Sequence, residues 1–380
     1  MWNSIIIKYK IKLLLISYTF LGECVKRVII FFIVIFIPIN VYAISDTAKS
    51  TMVMDMDSGR VLYEKNADEQ RLIASITKIM TAVLAIENMP FDTEITVGEE
   101  VLSMYGSNIY IELGEKLSLR DLLYGLMLRS GNDAAVVIAN NIASSEEEFV
   151  SMMNKKAKEI GMTNTIYRNP HGLDEETKNY STARDMAILS SYAMTLKDYR
   201  EISSTKKWST KSDKKSYLWN NRNKLLYSYS YATGGKTGYT PSAGRTLVTT
   251  ASKDNLDLTV VTLSDANEYI THESLYEYSF NKYNNYLIVD KNNFDIDDNF
   301  FEDDLYIKES FTYPLTNDET DKVKVVVHLK KLTKYSNNDK VGEVTVTLDE
   351  NEIFNTDVYV KVRHNKDSLL DKIKKFFKNL

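Results

Sequence analysis

The sequence predicts a mixed α/β (α+β) architecture: a large first domain of helices and antiparallel strands, then a small all-β domain, then an amphipathic C-terminal helix. Three patterns carry that expectation. Alternating or β-branched stretches at residues 51–56, 245–250 and 256–262, separated by turn residues, read as antiparallel strands. Leu119, Leu122, Leu123, Leu126 and Met127 recur at helical spacing, as do Ala134, Val137 and Ile138. Beyond about residue 284 the chain changes to short alternating runs at 287–289, 322–329, 342–348 and 357–362, with no chemical motif among them. With 380 residues and 44% hydrophobic content the chain can bury two cores, and the expected divisions are 1–43, 44–283, 284–365 and 366–380.

Residues 1–43 read as an N-terminal extension and signal peptide. The apolar run 28–41 follows Lys26-Arg27 and ends in Val41-Tyr42-Ala43, the small-residue exit of a secretory signal cut after Ala43. That unit is complete from Val25 onward, so Val25 is the expected true start. An uncleaved anchor is the competing reading, but the run is short for a bilayer. Cys24 is the single cysteine, and a chain cut after Ala43 carries no disulfide.

Thr51 to Glu64, turning at Asp57-Ser58-Gly59-Arg60, reads as a hairpin leading into a buried helix that starts at Ser75. Ser75 and Lys78 stand three apart on one helical face, so the amine can reach the hydroxyl, and the unpaired N–H groups of the first turn can face an oxyanion. Read singly, Ser-x-x-Lys also describes a cap followed by a solvated lysine. Ser130-Gly131-Asn132 lies between two helices and offers a hydroxyl and a carboxamide to one space, although an ordinary turn has the same residues. Residues 146–160 form a helix closed by Gly161, and 182–194 another. His171, in Asn169-Pro170-His171-Gly172-Leu173-Asp174, reads as a loop-locking histidine before a catalytic one. In Gly234-Gly235-Lys236-Thr237-Gly238-Tyr239 the glycines clear room for an extended peptide at a strand edge, while lysine and threonine supply a cation and a hydroxyl. A Walker phosphate loop is excluded, because no glycine stands five residues before Gly235.

A net charge of −5 with dispersed lysines gives no field for nucleic acid, and four scattered histidines with one cysteine give no metal site. No cofactor is expected. The last stretch sets Leu369, Leu370, Ile373, Phe376, Phe377 and Leu380 against Lys372, Lys374, Lys375 and Lys378, the pattern of a helix lying in a membrane interface.

Together, Ser75-x-x-Lys78, Ser130-x-Asn132 and Lys236-Thr237-Gly238 resemble the active-site set of penicillin-binding proteins and serine β-lactamases. Across roughly residues 45–365 the chain resembles the low-molecular-mass, serine-type D-alanyl-D-alanine carboxypeptidases. The resemblance implies a penicillin-recognising, β-lactamase/transpeptidase-like domain with its sheet between helical groups. It implies removal of the terminal D-alanine from peptidoglycan stem peptides, with β-lactam antibiotics as covalent inhibitors and export to the outer face of the cytoplasmic membrane. By the same resemblance Ser75 is the nucleophile, Lys78 the base and Ser130 the relay to the leaving amine. Asn132 holds the peptide amide, Lys236 and Thr237 receive the carboxylate beside Gly238, and the N–H groups of Ser75 and Tyr239 form the oxyanion hole. Lys78 must then be held neutral by burial and by Lys236; a like charge about 4 Å away is worth roughly 4 kcal/mol at an effective dielectric near 20.

One departure stands out. Where several relatives carry a carboxylate-binding arginine after the next strands, this chain reads Leu263-Ser264-Asp265-Ala266-Asn267, and Arg245 is either a substitute or a structural residue. A β-lactamase, a transpeptidase or endopeptidase, and a catalytically silent wall-binding protein are the rival readings. The loop 169–174 carries no lactamase-like glutamate.

Overall fold

The computed structural model describes residues 2–7, 44–296 and 299–362. The expected signal run and the amphipathic segment 368–380 lie outside the described residues. The chain divides between Asn284 and Asn285 into two compact units.

The first unit is built on five antiparallel strands. The expected hairpin forms as β1 (Ser50–Asp55) and β2 (Val61–Lys65), with Gly59 supplying the left-handed turn residue at φ 71°. The three later strands are β5 (Ala232–Thr240), β6 (Gly244–Lys253) and β7 (Leu256–Leu263). Their order is β5-β6-β7-β1-β2, so β1, this sheet's first strand in chain order, pairs with β7, its last, and β5 is left at an edge. The buried helix α1 (Lys78–Asn88) packs against α3 (Asn132–Ile142) and α5 (Ala183–Thr195), and α5 lies on β7 and β1. Helix α7 (Glu268–Lys282) packs on β6 and β7, where Thr249 and Thr262 hydrogen-bond the His272 ring. The sheet thus lies between helical groups.

Local chemistry sets the remaining boundaries. Helix α2 (Leu119–Tyr124) is capped by Ser118, whose hydroxyl accepts from Asp121 N–H, and it runs on as a π-turn over Gly125–Arg129. The helical stretch begins only at Leu119, because Lys116–Ser118 pairs as a strand with Glu94–Thr96. Helix α4 (Glu146–Glu159) starts at a Ser145 cap and ends at Gly161 with φ 90°. A short helix α6 (Lys197–Ser204) and the hairpin β3 (Lys207–Lys211) and β4 (Ser216–Asn220) complete the unit; the hairpin turns Trp208 and Trp219 toward the core.

The second unit is all β among the described residues. Strands β8 (Asn284–Val289) and β10 (Phe311–Leu315) pair together. The larger sheet contains β9 (Asp304–Tyr306), β11 (Val323–Lys330), β12 (Lys340–Leu348) and β13 (Asn351–Lys361), with Trp2–Ile7 antiparallel to β11. Val327, Val341, Val344, Val346, Val358 and Val360 form the centre of its core.

Candidate active site

The expected helix start at Ser75 takes a different form: Ala74–Thr77 is a 3-10 turn and α1 begins only at Lys78. Packing causes the change. Ala74 sits at φ 48°, a strained value for a residue with a Cβ, and its carbonyl oxygen lies 2.0 Å from where a Cβ on Gly172 would stand. Only glycine lets the loop 169–174 close on the turn that carries Ser75. On the other side Gly238 of β5 brings its backbone against the same turn; a Cβ there would lie 2.9 Å from Ser75 N. Ser75 is therefore held between a loop and a strand edge, both by glycine.

Lys78 is fully buried, and its Nζ donates to Asn132 Oδ1 at 2.7 Å and to the His171 carbonyl at 2.5 Å. Its third direction faces Ser75 Oγ at 3.0 Å. Burial first, then the charge of Lys236, holds the amine well below the usual lysine range; the Arg222 charge adds to this and Asp133 opposes it. An amide oxygen and a carbonyl can only accept, so they consume two N–H groups. A neutral Lys78 then presents its lone pair to the serine hydroxyl.

Lys236 is buried as well, donating to Ser130 Oγ at 2.9 Å and to the Thr237 carbonyl at 2.6 Å. Burial and the Arg222 charge push it down to about 7. Ser130 ends the π-turn in the left-handed region at φ 65°, which turns its hydroxyl from α2 toward β5. Asn132 is fixed at both ends: its N–H donates to the Ser107 carbonyl and its Nδ2 to the Tyr105 carbonyl, each at 2.7 Å. The sequence-designated Ser75, Ser130, Thr237, Gly238 and Tyr239 line one cleft of about 520 Å³; Lys78 and Lys236 are bonded to its two serines, and Asn132 to Lys78. A larger cleft of about 690 Å³ near Asp57, Met194 and Arg200 contains none of the motif residues.

His171 is the loop-locking residue the sequence favours. Its Nδ1 accepts from Leu173 N–H at 3.1 Å, and burial followed by the Lys78 charge pushes the ring down to about 3. It is neutral at working pH. Asn169 and Asn179 tie the loop together, and Thr81 hydroxyl donates to the Pro170 carbonyl. The loop carboxylate Asp174 accepts from Thr240 hydroxyl at 2.6 Å. Among the described residues no group of three His, Cys, Asp or Glu side chains is arranged to hold a metal.

Two contributors carry no sequence signal of their own. Arg222 lines the cleft and donates to Ser107 Oγ at 2.8 Å, and its charge bears on both lysines. Buried Asp133 accepts N–H bonds from Ile109, Tyr110 and Ile111, fastening the loop that carries Tyr105 and Ser107. Asp133 directly follows Ser130-Gly131-Asn132, which is the one local cue. Arg222 sits in a polar run, Asn220 to Asn223, with nothing to distinguish it.

The sequence profile described as D-alanyl-D-alanine carboxypeptidase matches residues 40–267, and that of the penicillin-binding protein 5 C-terminal domain matches 289–366. The D-alanyl-D-alanine carboxypeptidase DacF of Bacillus subtilis (strain 168) is 37% identical over 257 residues, 64% of this chain and 65% of that protein. DacC of Escherichia coli (strain K12) is 36% identical over 241 residues, 59% of this chain and 58% of its own length. The chain thus spans under two thirds of these relatives. The crystal structure of penicillin binding protein 5 from Haemophilus influenzae superposes with a TM-score of 0.71 at 27% identity, covering 83% of this chain and 97% of that one.

Proposed function

This chain belongs to the D-alanyl-D-alanine carboxypeptidase family, and from that premise we propose that it is a serine-type D-Ala-D-Ala carboxypeptidase. It removes the terminal D-alanine from peptidoglycan stem peptides through an acyl-enzyme on Ser75. The observation that carries this reading is the coordination of Lys78: two obligate acceptors and one serine hydroxyl around a buried amine held below its usual range. Such an amine takes the Ser75 proton as Oγ attacks the scissile carbonyl. The oxyanion develops beside the N–H of Ser75, with Tyr239 N–H as the second donor. Ser130, bonded to Lys236, relays the proton to the leaving amine. Asn132 holds Lys78 and the peptide amide together, and Lys236 with Thr237 receives the terminal carboxylate. Water then frees Ser75.

Deacylation has no dedicated carboxylate base in the loop 169–174, since Asp174 is engaged by Thr240. A small D-alanine leaving group departs and admits water, whereas a tethered penicillin fragment stays. We expect rapid peptide turnover and slow penicillin release. The test incubates the purified protein with diacetyl-lysyl-D-alanyl-D-alanine and, separately, with a chromogenic cephalosporin. Free D-alanine with little cephalosporin turnover supports the carboxypeptidase. Sustained cephalosporin hydrolysis without D-alanine release overturns it in favour of a β-lactamase, and transfer to an added amine in preference to water favours a transpeptidase.

Export and a peripheral seat on the outer face of the cytoplasmic membrane complete the proposal, resting on the pattern of residues 25–43 and 368–380. Among the described residues no helix is long and apolar enough to cross a membrane.

A further inference from the structure

Residues 206–224 hold six lysines and one arginine against one aspartate, in a chain whose net charge is −5. The hairpin of β3 and β4 carries much of that charge, and its two faces differ. Inward, the Trp208 ring stacks on Tyr124 at 3.7 Å between centres and its Nε1 donates to Asp121, while the Tyr217 hydroxyl donates to buried Glu115. These contacts fasten the hairpin to the unit. Outward, the register sets Lys207 opposite Asn220, Ser209 opposite Leu218 and Lys211 opposite Ser216, an exposed face with two cations and no carboxylate.

These cations have no counter-ions. Lys206, Lys207, Lys211 and Lys224 are exposed, and among the described residues none of them forms an ion pair; Lys206 and Lys224 lie over the rings of Tyr227 and Tyr269, each at 5.7 Å. Lys215 differs, pairing with Glu112 at 2.8 Å, and the one aspartate, Asp213, accepts from Lys116 N–H. The face also runs into the catalytic cleft. Directly after β4, Asn221 N–H donates to the Lys206 carbonyl at 2.8 Å, and Asn221, Arg222 and Lys224 line the cleft with Ser75 and Ser130. A polymer that places one of its branches in the cleft therefore has the hairpin beside it.

We propose that the outer face of β3 and β4, together with Lys206, is a docking surface for the neighbouring stem peptides of a wall strand, held through their terminal carboxylates. This rests on the carboxypeptidase reading and adds that the preferred substrate is the polymer rather than a free peptide. Hydrolysis between two D-alanines leaves a carboxylate on the shortened stem, so cut and uncut stems alike end in one. A strand bearing many stems is thus a row of anions. Lys207 and Lys211, four residues apart on one strand face, stand about 13 Å from each other and can meet separate carboxylates. Each contact is weak and screened by salt, but several together raise the local concentration of the next stem at the cleft. A bilayer fits the face less well, because a membrane pressed against it would cover the cleft it borders.

The experiment gives the full chain two substrates: soluble, uncross-linked wall strands whose stems end in D-alanyl-D-alanine, and diacetyl-lysyl-D-alanyl-D-alanine. Release of free D-alanine yields kcat/KM for each. In the triple variant Lys206→Gln, Lys207→Gln, Lys211→Gln the value for strands falls about threefold to thirtyfold, mainly through KM, while the tripeptide value holds. Raising NaCl from about 50 to about 300 mM lowers the strand value more for the wild-type protein than for the variant. Equal strand values for the two proteins overturn this inference and leave the carboxypeptidase reading standing. So does an equal fall on both substrates, which puts the effect of the lysines in the cleft itself. Loss of binding to phosphatidylglycerol vesicles in the variant, with strand kinetics unchanged, assigns the face to lipid and overturns it too. If the wild-type protein releases D-alanine from neither substrate and takes no penicillin on Ser75, the catalytic reading falls and this inference with it.

Discussion

The two units of the chain are both laddered by antiparallel strands, and they differ in what they bury. The first hides Lys78, Lys236, Glu115, Asn132, Asp133, Asn169, His171, Asp174 and Asn179, all under a tenth exposed. In the second, among the described residues, Thr356 is the one polar side chain buried that deeply, inside a core of valines and aromatic rings. Removing a polar group from water costs several kcal/mol unless its hydrogen bonds are replaced, and a charge costs more. A unit that keeps two lysines fully buried near a serine therefore holds them against their solvation preference. Stability alone does not account for that, whereas the neutral base proposed for Lys78 would.

The largest effect is expected where the buried amine itself is removed. Lys78→Met fills much the same volume without a lone pair, so penicillin should acylate Ser75 at least about 10³-fold more slowly; because it leaves Asn132 Oδ1 and the His171 carbonyl without that donor, the thermal midpoint is read alongside to show that the variant is folded. Intact-protein mass spectrometry against time measures this, with Ser75→Ala as the blank. An adduct forming at the wild-type rate in Lys78→Met removes Lys78 from the mechanism.

Next comes the glycine behind Ser75. Gly172 has φ 89° and no room for a Cβ against the Ala74 carbonyl, so Gly172→Ala must displace either the turn or the loop that supplies the His171 carbonyl to Lys78. A shift of about 1 Å at Ser75 is worth roughly 10²-fold in acylation. Acylation at the wild-type rate would show that the turn does not depend on this contact.

The pH dependence separates the two lysines. If Lys236, pushed down to about 7, receives the substrate carboxylate as proposed, it does so only as a cation, and kcat/KM for the acid peptide should fall about tenfold per unit as pH rises above that value. Stability moves the other way. The folded protein holds Lys236 below the ordinary 10.5, so between about 7 and 10.5 the unfolded chain binds more protons and this lysine's contribution to stability grows with pH. His171, at about 3, adds no limb near neutrality. A flat alkaline profile to pH 9 contradicts the cationic role of Lys236.

The same contrast explains what could be read in advance. Ser75, Lys78, Ser130, Asn132 and Lys236 announce themselves because each motif is local, set by a helical turn or a strand edge, and the structure brings them to one cleft. The hairpin at Gly59, the strands β6 and β7 and the cap at Gly161 follow from turn chemistry and periodicity alone. Arg222 was invisible because its partner Ser107 lies 115 residues away. The 3-10 turn at Ala74 was invisible for a related reason: its strain is imposed by Gly172 and Gly238, neither adjacent in sequence. Asp133 reads as helix-start decoration until the loop it fastens is seen.

The smallest effect on chemistry is expected in the second unit, and it tests the contrast from its other side. Val344, fully buried in β12, pairs with Val327 and Thr356 and belongs to a core with no charged member. Val344→Ala deletes two methyl groups and leaves a void that a β-sheet core closes poorly, so local stability should fall by about 2 kcal/mol. No proton, hydrogen bond or charge is altered, and the backbone partners of β12 remain. Hydrogen exchange over residues 340–348 should quicken by roughly thirtyfold, the factor that such a loss sets when opening of the unit limits exchange. The penicillin acylation rate of Ser75 should be unchanged. If acylation slows in step with exchange, the valine core contributes to the catalytic geometry after all, and the division between a unit that buries charge for chemistry and one that buries hydrocarbon for stability is wrong.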